Sequence, residues 1–234
     1  MFPRQLHLLL IALLPKSTGG DRPVGLFPSP VRLLGRWLRR GIGEDWRRSC
    51  ARPFFFGSKG AGAETCVWRA LAISEYAAAV GRVSCSALFD LIKAFEYIRH
   101  DLLVENARRY GFPLPLLRFL VLCYRMPRAI RVGSVTIFPK QATRAVVPGC
   151  ACADLMMSLA LLPTLDAVAE KFASQISEGK LFAATVVDDI QFLALGDAKE
   201  TTELVTSASR MLISGLKKMA LKSTSPTNSC TCFA

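Results

Sequence analysis

The sequence is poor in the residues that metal and thiol chemistry commonly use. Only two of its 234 residues are histidine, His7 and His100, and no two of its eight cysteines stand in a Cys-x-x-Cys spacing. Zinc sites normally combine four such ligands in closely spaced pairs, so we predict no zinc site. Several cysteines lie inside apolar runs, where a reduced thiol packs as a small hydrophobe. We therefore expect a reducing compartment inside the cell, either the nucleus or the cytoplasm.

Long apolar runs are also missing. The stretch Leu6–Leu14 follows Arg4 and imitates a secretory signal, but it is too short to cross a bilayer and no small-x-small cleavage site follows it. We predict that it is a buried strand, joined to a second strand at Arg22–Phe27 by a Gly-rich turn. No stable membrane association is expected, and a true signal segment is the alternative.

Acidic residues are scarce relative to basic ones. The chain has 18 Asp and Glu against 30 Lys and Arg, a net charge of +12, and residues 1–60 hold eleven of the basic residues against three acidic ones. This excess favours a polyanion such as nucleic acid. We predict that four arginines of a basic helix contact nucleic-acid phosphates, with a merely solvated helix face as the alternative. They are Arg32, Arg36, Arg39 and Arg40.

The composition and periodicity predict a mixed fold. Hydrophobic residues make up 51% of the chain, enough for the core of one large domain or two lobes, and no internal repeat is present. Predicted strands cover residues 6–14, 22–27, 82–90, 128–135, 142–147, 182–187 and 190–195. Predicted helices cover residues 31–40, 64–80, 101–110, 113–124, 152–172 and 199–218, with a loop over 41–63 and a polar tail from 223.

Against this scarcity of acids, two adjacent carboxylates stand inside an apolar run. Asp188 and Asp189 lie between two strand-like segments, where paired acids are costly unless a tight turn or a cation accommodates them. Asp90 closes another short apolar run and supplies a third carboxylate. Such oxygen ligands select Mg²⁺, and two Mg²⁺ ions about 4 Å apart can stabilise the attacking and leaving oxygens of nucleotidyl transfer. We predict that these three aspartates are catalytic and bind two metal ions, with Asp90 and Asp188 as the best candidates for bridging the ions.

Five motifs in chain order resemble those of reverse transcriptases, particularly the enzymes of non-LTR retrotransposons and group II introns. Each motif alone is weak, and the resemblance rests on their order and spacing across about residues 6 to 222. The motifs are Leu13-Leu14-Pro15-Lys16 with Gly20-Asp21-Arg22-Pro23-Val24, then Asp90-Leu91-Ile92-Lys93-Ala94-Phe95, Val147-Pro148-Gly149, Val186-Val187-Asp188-Asp189, and Gly215-Leu216 with Lys222.

The resemblance implies an α/β right-hand polymerase architecture over residues 1–234. Fingers are expected at about residues 1–82 and 112–145, and a palm at about 83–111 and 146–234, with an antiparallel palm sheet backed by helices. The implied activity is synthesis of DNA on an RNA template, extending a DNA primer with dNTPs and two Mg²⁺ ions. No thumb follows the palm, so a missing segment or a partner domain is expected to supply it.

The resemblance also implies roles for five residues at the nucleotide. Lys16 and Arg22 are expected to clamp the triphosphate, and Lys222 to lie near it. Phe95 is expected to exclude a 2′-hydroxyl, and Gly149 to allow close backbone approach. For Lys16 and Arg22 the alternative is a pair of solvated hairpin charges, for Phe95 a core aromatic, and for Gly149 a helix-initiating turn. His100 is expected to be structural.

The chain departs from the family pattern at several positions. Glu96 replaces the usual Asp, Pro148 the usual Gln, and Val186 the usual aromatic of the Asp-Asp hairpin, and the Ser-Pro expected after Gly149 is absent. The chain is therefore predicted to be a divergent polymerase. A catalytically dead, nucleic-acid-binding relic of a retroelement is the alternative.

Overall fold

The chain folds into two compact units, each assembled from two separate stretches of sequence. The computed structural model describes residues 3, 6–17, 19–57, 60–132, 134–138 and 142–223, and the backbone of 227–231. The first unit comprises residues 1–50 and 95–160, and the second comprises residues 51–94 and 161–234.

A four-stranded sheet with the order β2-β1-β5-β6 forms the frame of the first unit. Its strands are β1 (Leu9–Pro15), β2 (Asp21–Leu26), β5 (Arg128–Val132) and β6 (Val135–Ile137). Strands β1 and β2 pair antiparallel, and Gly19 and Gly20 take positive φ angles of 88° and 78° in the turn between them. The predicted N-terminal hairpin is therefore confirmed, while β1 also pairs in parallel with β5.

The first unit also contains helices. They are α1 (Ser29–Leu38), α2 (Glu44–Ser49), α5 (His100–Arg109), α6 (Leu114–Tyr124) and the first part of α7 (Ala153–Lys171), with a short α4 (Ala94–Tyr97) at the boundary between the units. Trp46 of α2 is buried, donates from Nε1 to the carbonyl oxygen of Tyr110 at 2.9 Å and meets the ring of Phe112 edge-on at 4.8 Å. An indole buried in this way satisfies its only polar group.

Two predictions for segments of the chain were wrong. The expected loop over 41–63 contains a kinked turn at Arg39–Gly43, helix α2 and strand β3 (Phe55–Phe56). The expected strand over 142–147 forms no ladder, because Ala145 has a positive φ of 94° and hydrogen-bonds through its amide to Ile98, while the amide of Val146 bonds to Phe95. Residue 133 of the predicted strand over 128–135 lies outside the described residues.

The second unit is built on a sheet with the order β10-β4-β8-β7-β3. Its longer strands are β4 (Val83–Ile92), β7 (Leu181–Val186) and β8 (Asp189–Gly196). The remaining members are β9 (Lys222–Ser223), which pairs with the end of β4, and β10 (Thr227–Thr231). All pairings in this unit are antiparallel except that of β3 with β7.

Helices cover one face of this second sheet. Strand β4 alternates, with Ala87, Phe89 and Leu91 buried and Leu88, Asp90 and Ile92 exposed, as expected for a sheet that is covered on one side. Helices α3 (Ala63–Ala79) and α9 (Ala198–Lys218) pack on β4 and β8, and α8 (Ala173–Ser177) lies against β7. The predicted α/β fold with an antiparallel sheet backed by helices is confirmed. Within the described ranges, no helix is both long and apolar enough to cross a membrane.

Candidate active site

The two adjacent aspartates lie at the tip of the β7–β8 hairpin. Val186 pairs with Asp189 as the last rung of the ladder, so Val187 and Asp188 form a two-residue loop. Val187 takes a left-handed φ of 60°, a conformation that costs a β-branched residue about 1–3 kcal/mol. Strain of this kind persists only where the surrounding structure imposes it, here at the turn that positions the acids.

Asp90 and Asp189 face each other directly across two strands. They are register partners in the antiparallel β4–β8 ladder, which places their Cβ atoms about 4.5–5.5 Å apart on the exposed face of the sheet. Burial raises the pKa of Asp189, and the neighbouring charge of Asp90 raises that pKa further. Two carboxylates held side by side repel each other, so the pair favours a proton or a bound cation between them.

The third predicted ligand, Asp188, is half-buried in the loop next to this pair. Sequence reasoning favoured Asp90 and Asp188 as the bridging carboxylates, whereas the register pairs Asp90 with Asp189. Across the part of the chain that the structure describes, no three His, Cys, Asp or Glu side chains form a group that could hold a metal ion. The oxygen donors of Asp90 and Asp189 suit a hard cation such as Mg²⁺, and three-carboxylate binding of two ions stays a prediction.

Lys222 joins the pair on the same sheet. It lies on β9 opposite Ile92, two residues beyond Asp90 on β4, and therefore on the same sheet face as the two aspartates. Diagonal neighbours of this kind have Cα atoms about 7–8 Å apart, within reach of a long side chain. The second unit thus brings Asp90, Asp189 and Lys222 together over a sequence separation of more than 100 residues.

The other predicted nucleotide-binding residues belong to the first unit. Lys16 and Arg22 are both exposed at the tip of the β1–β2 hairpin, where Leu14 pairs with Arg22. Phe95 is half-buried in α4, and its carbonyl oxygen accepts from the amide of Val146 at 2.8 Å. The two charges thus lie at one hairpin tip, and the contacts of all three residues with a nucleotide stay predictions.

Gly149 is required by packing inside the first unit. Its φ is 95°, and a Cβ at this position would lie 2.7 Å from the carbonyl oxygen of Gly25 on β2. The amide of Gly25 also donates to the carbonyl oxygen of Pro148 at 2.8 Å. This close approach between β2 and the segment before α7 accounts for a glycine at 149, and its contact with a nucleotide remains a prediction.

The predicted arginine surface divides into paired and unpaired members. Arg39 makes a two-pronged ion pair with Asp154 at 2.8 and 2.9 Å, bonds to the carbonyl oxygen of Ala151 and lies 3.3 Å from Glu44. Burial alone would lower the pKa of Arg39, but Asp154 and Glu44 outweigh burial and raise it. Arg39 thus has a structural partner that sequence reasoning missed, although an acid in the first turn of α7 was a visible signal.

His100 has the surroundings of a structural histidine. It is buried, its Nε2 donates to the carbonyl oxygen of Ala145 at 2.9 Å, and its Nδ1 lies 3.4 Å from Nε of Arg125. Burial lowers the pKa of His100, and the nearby charges of Arg125 and Arg128 lower it further, so the neutral ring is favoured. The imidazole holds the strained segment at Ala145 against α5.

The fold is similar to that of solved telomerases. The structure of telomerase from Candida tropicalis truncated from its C-terminal domain superposes with a TM-score of 0.62 and 14% identity over 98% of this chain and 51% of that chain. Candida tropicalis telomerase in complex with a TWJ fragment of telomeric RNA gives 0.67 and 12% over 96% of this chain and 41% of that one.

The Candida albicans telomerase in complex with the same kind of fragment gives a TM-score of 0.63 and 10% identity over 98% and 43% of the two chains. This chain therefore spans about half the length of these structures, or less. No protein-family model and no curated protein sequence matches it. At such low identity the likeness establishes the fold alone, which is an α/β fingers-and-palm fold like that of these telomerases.

Proposed function

We propose that the chain is a reverse transcriptase domain that synthesises DNA on an RNA template, of the type found in non-LTR retrotransposons and group II introns. The observation that carries the proposal is the cross-strand pair Asp90 and Asp189 on the exposed face of a reverse transcriptase-like sheet, with Asp188 in the adjoining loop. This chemistry needs acids in that position, and a sheet of purely structural function does not.

In this proposal, Asp90, Asp188 and Asp189 hold Mg²⁺. Bound Mg²⁺ would stabilise the attacking 3′-oxygen and the leaving pyrophosphate. Lys222, on the same sheet face as Asp90, would neutralise charge on the triphosphate. A bound cation would relieve the repulsion by Asp90 that, with burial, raises the pKa of Asp189.

The sequence motifs also assign nucleotide-binding roles to residues of the first unit. Lys16 and Arg22 would contact the triphosphate from the hairpin tip, and the ring of Phe95 would exclude the 2′-hydroxyl of a ribonucleotide. We assign fingers to about residues 1–82 and 112–145 and palm to the remainder, as the motif order suggests. Two of the similar telomerases carry a fragment of telomeric RNA, which supports an RNA partner.

Primer extension on an RNA template tests the proposal. The full chain should extend a DNA primer with dNTPs and Mg²⁺, and Asp90→Asn or Asp189→Asn should reduce the rate by on the order of 10²–10³, because metal charge stabilisation is lost. Glu75→Gln, an exposed acid of α3 in the same unit, is the matched control and should leave the rate unchanged. Equal rates in the Asp90→Asn variant and the wild type would refute the proposal.

A second candidate is a nucleic-acid-binding relic without synthesis. It is favoured by the apolar or altered residues Pro148, Val186 and Glu96 at positions where the resemblance leads us to expect Gln, an aromatic and Asp. This candidate predicts tight RNA binding, no primer extension by the wild type, and no change in thermal stability on adding Mg²⁺. The same protein preparation therefore distinguishes the two.

A further inference from the structure

Helix α1 presents an unusual outer face. Its inner side is formed by Val31 and Gly35, which are buried in the first unit. On the opposite side, Leu33 is 65% and Trp37 71% exposed. They are four residues apart and so form one row along the helix surface. A soluble helix normally turns its large apolar side chains inward, so this row calls for a partner.

A row of arginines runs beside this apolar row. Arg32 and Arg36 are also four residues apart, and Arg40 continues the row into the kinked turn. Arg32 makes only a long bond of 3.4 Å to Ser29, and within the described ranges no carboxylate lies within 4.0 Å of Arg32, Arg36 or Arg40. Like charges at this spacing repel each other, so an anion from outside the chain would stabilise these arginines.

Neighbouring arginines show that this lack of acids is selective. Arg39 and Arg47 both pair with Asp154 and Glu44, and Arg48 pairs with Asp45. Asp154 and Glu44 therefore pair with half-buried arginines, whereas Asp45 pairs with the exposed Arg48. The arginines of the α1 row are left with a charge that a polyanion can meet.

We propose that the α1 face, comprising Leu33, Trp37, Arg32 and Arg36, binds single-stranded nucleic acid. Bases would stack on the Trp37 indole and pack on Leu33, while the arginine row contacts the phosphates. Proteins that hold single strands combine a basic track with exposed aromatic platforms in this way, without reading the sequence. The inference deepens the nucleic-acid contact of the proposed function and adds an aromatic residue to it.

Charge and base stacking together distinguish nucleic acid from other partners of the α1 face. A second copy of the chain would bring a net charge of +12 against the same basic face, so self-association is disfavoured. Anionic membranes and acidic peptides also carry the complementary negative charge. Neither of them combines that charge with flat bases that can stack on an indole, as nucleic acid does. These partners are outcomes that the experiment can detect.

Binding of a fluorescein-labelled ten-nucleotide oligouridylate to the full chain tests the proposal. Trp37→Ala should weaken binding by about 5- to 100-fold, the range for loss of one stacked base. Trp68→Ala is the matched control, because Trp68 is 65% exposed on α3 but has no row of unpaired arginines beside it, and Arg69 instead lies over the ring of Phe56. We expect its effect to be less than twofold.

Two further variants separate stacking from apolar contact and from misfolding. Trp37→Phe keeps a ring and should retain most of the affinity, whereas Trp37→Leu keeps apolar area and should bind as weakly as Trp37→Ala. On an abasic oligomer of the same length, wild type and Trp37→Ala should bind equally. Arg32→Gln and Arg36→Gln should each reduce the slope of log affinity against log salt by about 0.7.

The proposal is overturned if Trp37→Ala binds oligouridylate as tightly as Trp68→Ala does, or loses as much affinity for the abasic oligomer. It is also overturned if vesicles of phosphatidylserine and phosphatidylcholine, or an acidic peptide, displace oligouridylate from the wild type at the same salt concentration and bind more weakly to Trp37→Ala. Asp90→Asn should keep the full affinity for oligouridylate. Loss of synthesis with intact, Trp37-dependent binding would therefore leave this inference standing by itself.

Discussion

At the residue scale, the facing carboxylates of Asp90 and Asp189 disfavour each other's charge, and a bound cation would relieve this repulsion. Because the pKa of Asp189 is raised from 3.8, the folded protein holds that proton more tightly than the unfolded chain does. In the metal-free protein, the stability that the folded state gains by binding this proton more tightly is thus complete below pH 3.8. That stability is lost as the pH rises through the raised pKa of Asp189. Above that raised pKa, the charge of Asp189 is opposed by the charge of Asp90 across the ladder.

Asp189→Asn should therefore raise the thermal midpoint of the metal-free protein at pH 7 and flatten the loss of stability above pH 4. Adding Mg²⁺ should raise the midpoint of the wild type and change that of Asp189→Asn much less. Thermal melts between pH 4 and 8, with EDTA or with Mg²⁺, measure both effects, and Glu75→Gln serves as the charge-matched control. A lower midpoint for Asp189→Asn in EDTA would contradict this account.

At the element scale, one ion pair ties the end of α1 to the first turn of α7. Arg39→Ala would leave Asp154 with Arg47 alone and should cost about 1–3 kcal/mol of unfolding free energy, the usual value of hydrogen bonds to charged groups. Arg40→Ala, one residue away and exposed, should stay within about 0.5 kcal/mol. Urea unfolding of the two variants provides the comparison, and equal costs would show that the Asp154 pair contributes little.

The elements show which parts of the fold a sequence can disclose. Local signals located the Asp-Asp hairpin, the N-terminal hairpin and the helix observed at Ala63–Ala79, because periodicity, turn glycines and helix ends act over a few residues. The partners of β4 and the ion pair of Arg39 with Asp154 depend on contacts between residues far apart in the chain. The strand predicted at 142–147 failed for the same reason, because carbonyl oxygens about 50 residues earlier in the chain, at Phe95 and Ile98, accept hydrogen bonds from its amides.

The candidate site was recoverable to a similar degree. The acids stood out because charge is expensive in an apolar run, but their pairing needed the register of β4 with β8. Gly149 stood out through its motif, whereas the reason for a glycine there lies 124 positions earlier in β2 at Gly25. The spacing of Leu33, Leu34, Trp37 and Leu38 indicates a helix face, but that spacing does not reveal the exposure of Trp37, which the structure shows.

At the scale of the whole molecule, a net charge of +12 should make salt act in opposite directions on stability and on binding. Screening relieves self-repulsion of the folded chain, so raising NaCl from about 20 to 300 mM should raise the thermal midpoint by a few degrees. The affinity for RNA should fall over the same range, because releasing counterions into a more concentrated salt solution gains less free energy. A variant with both Arg32→Gln and Arg36→Gln should show less of each effect, measured by melts and by titration.

A midpoint that falls with salt would mean that attractive ion pairs such as Arg52 with Asp166 outweigh the net repulsion. The two measurements share one protein and one buffer series. They therefore separate the effect of total charge from that of the α1 face.

The placement of β4 has a consequence for how the protein is made. It lies between β8 and β10, and both neighbours are encoded roughly 100 or more residues after it. At about 5–20 residues per second, a ribosome would leave this apolar strand without its ladder for on the order of 5–20 seconds. During that interval β4 is an open edge that could pair with another nascent chain, so we expect efficient production to depend on fast elongation, on low polysome density or on a holding chaperone.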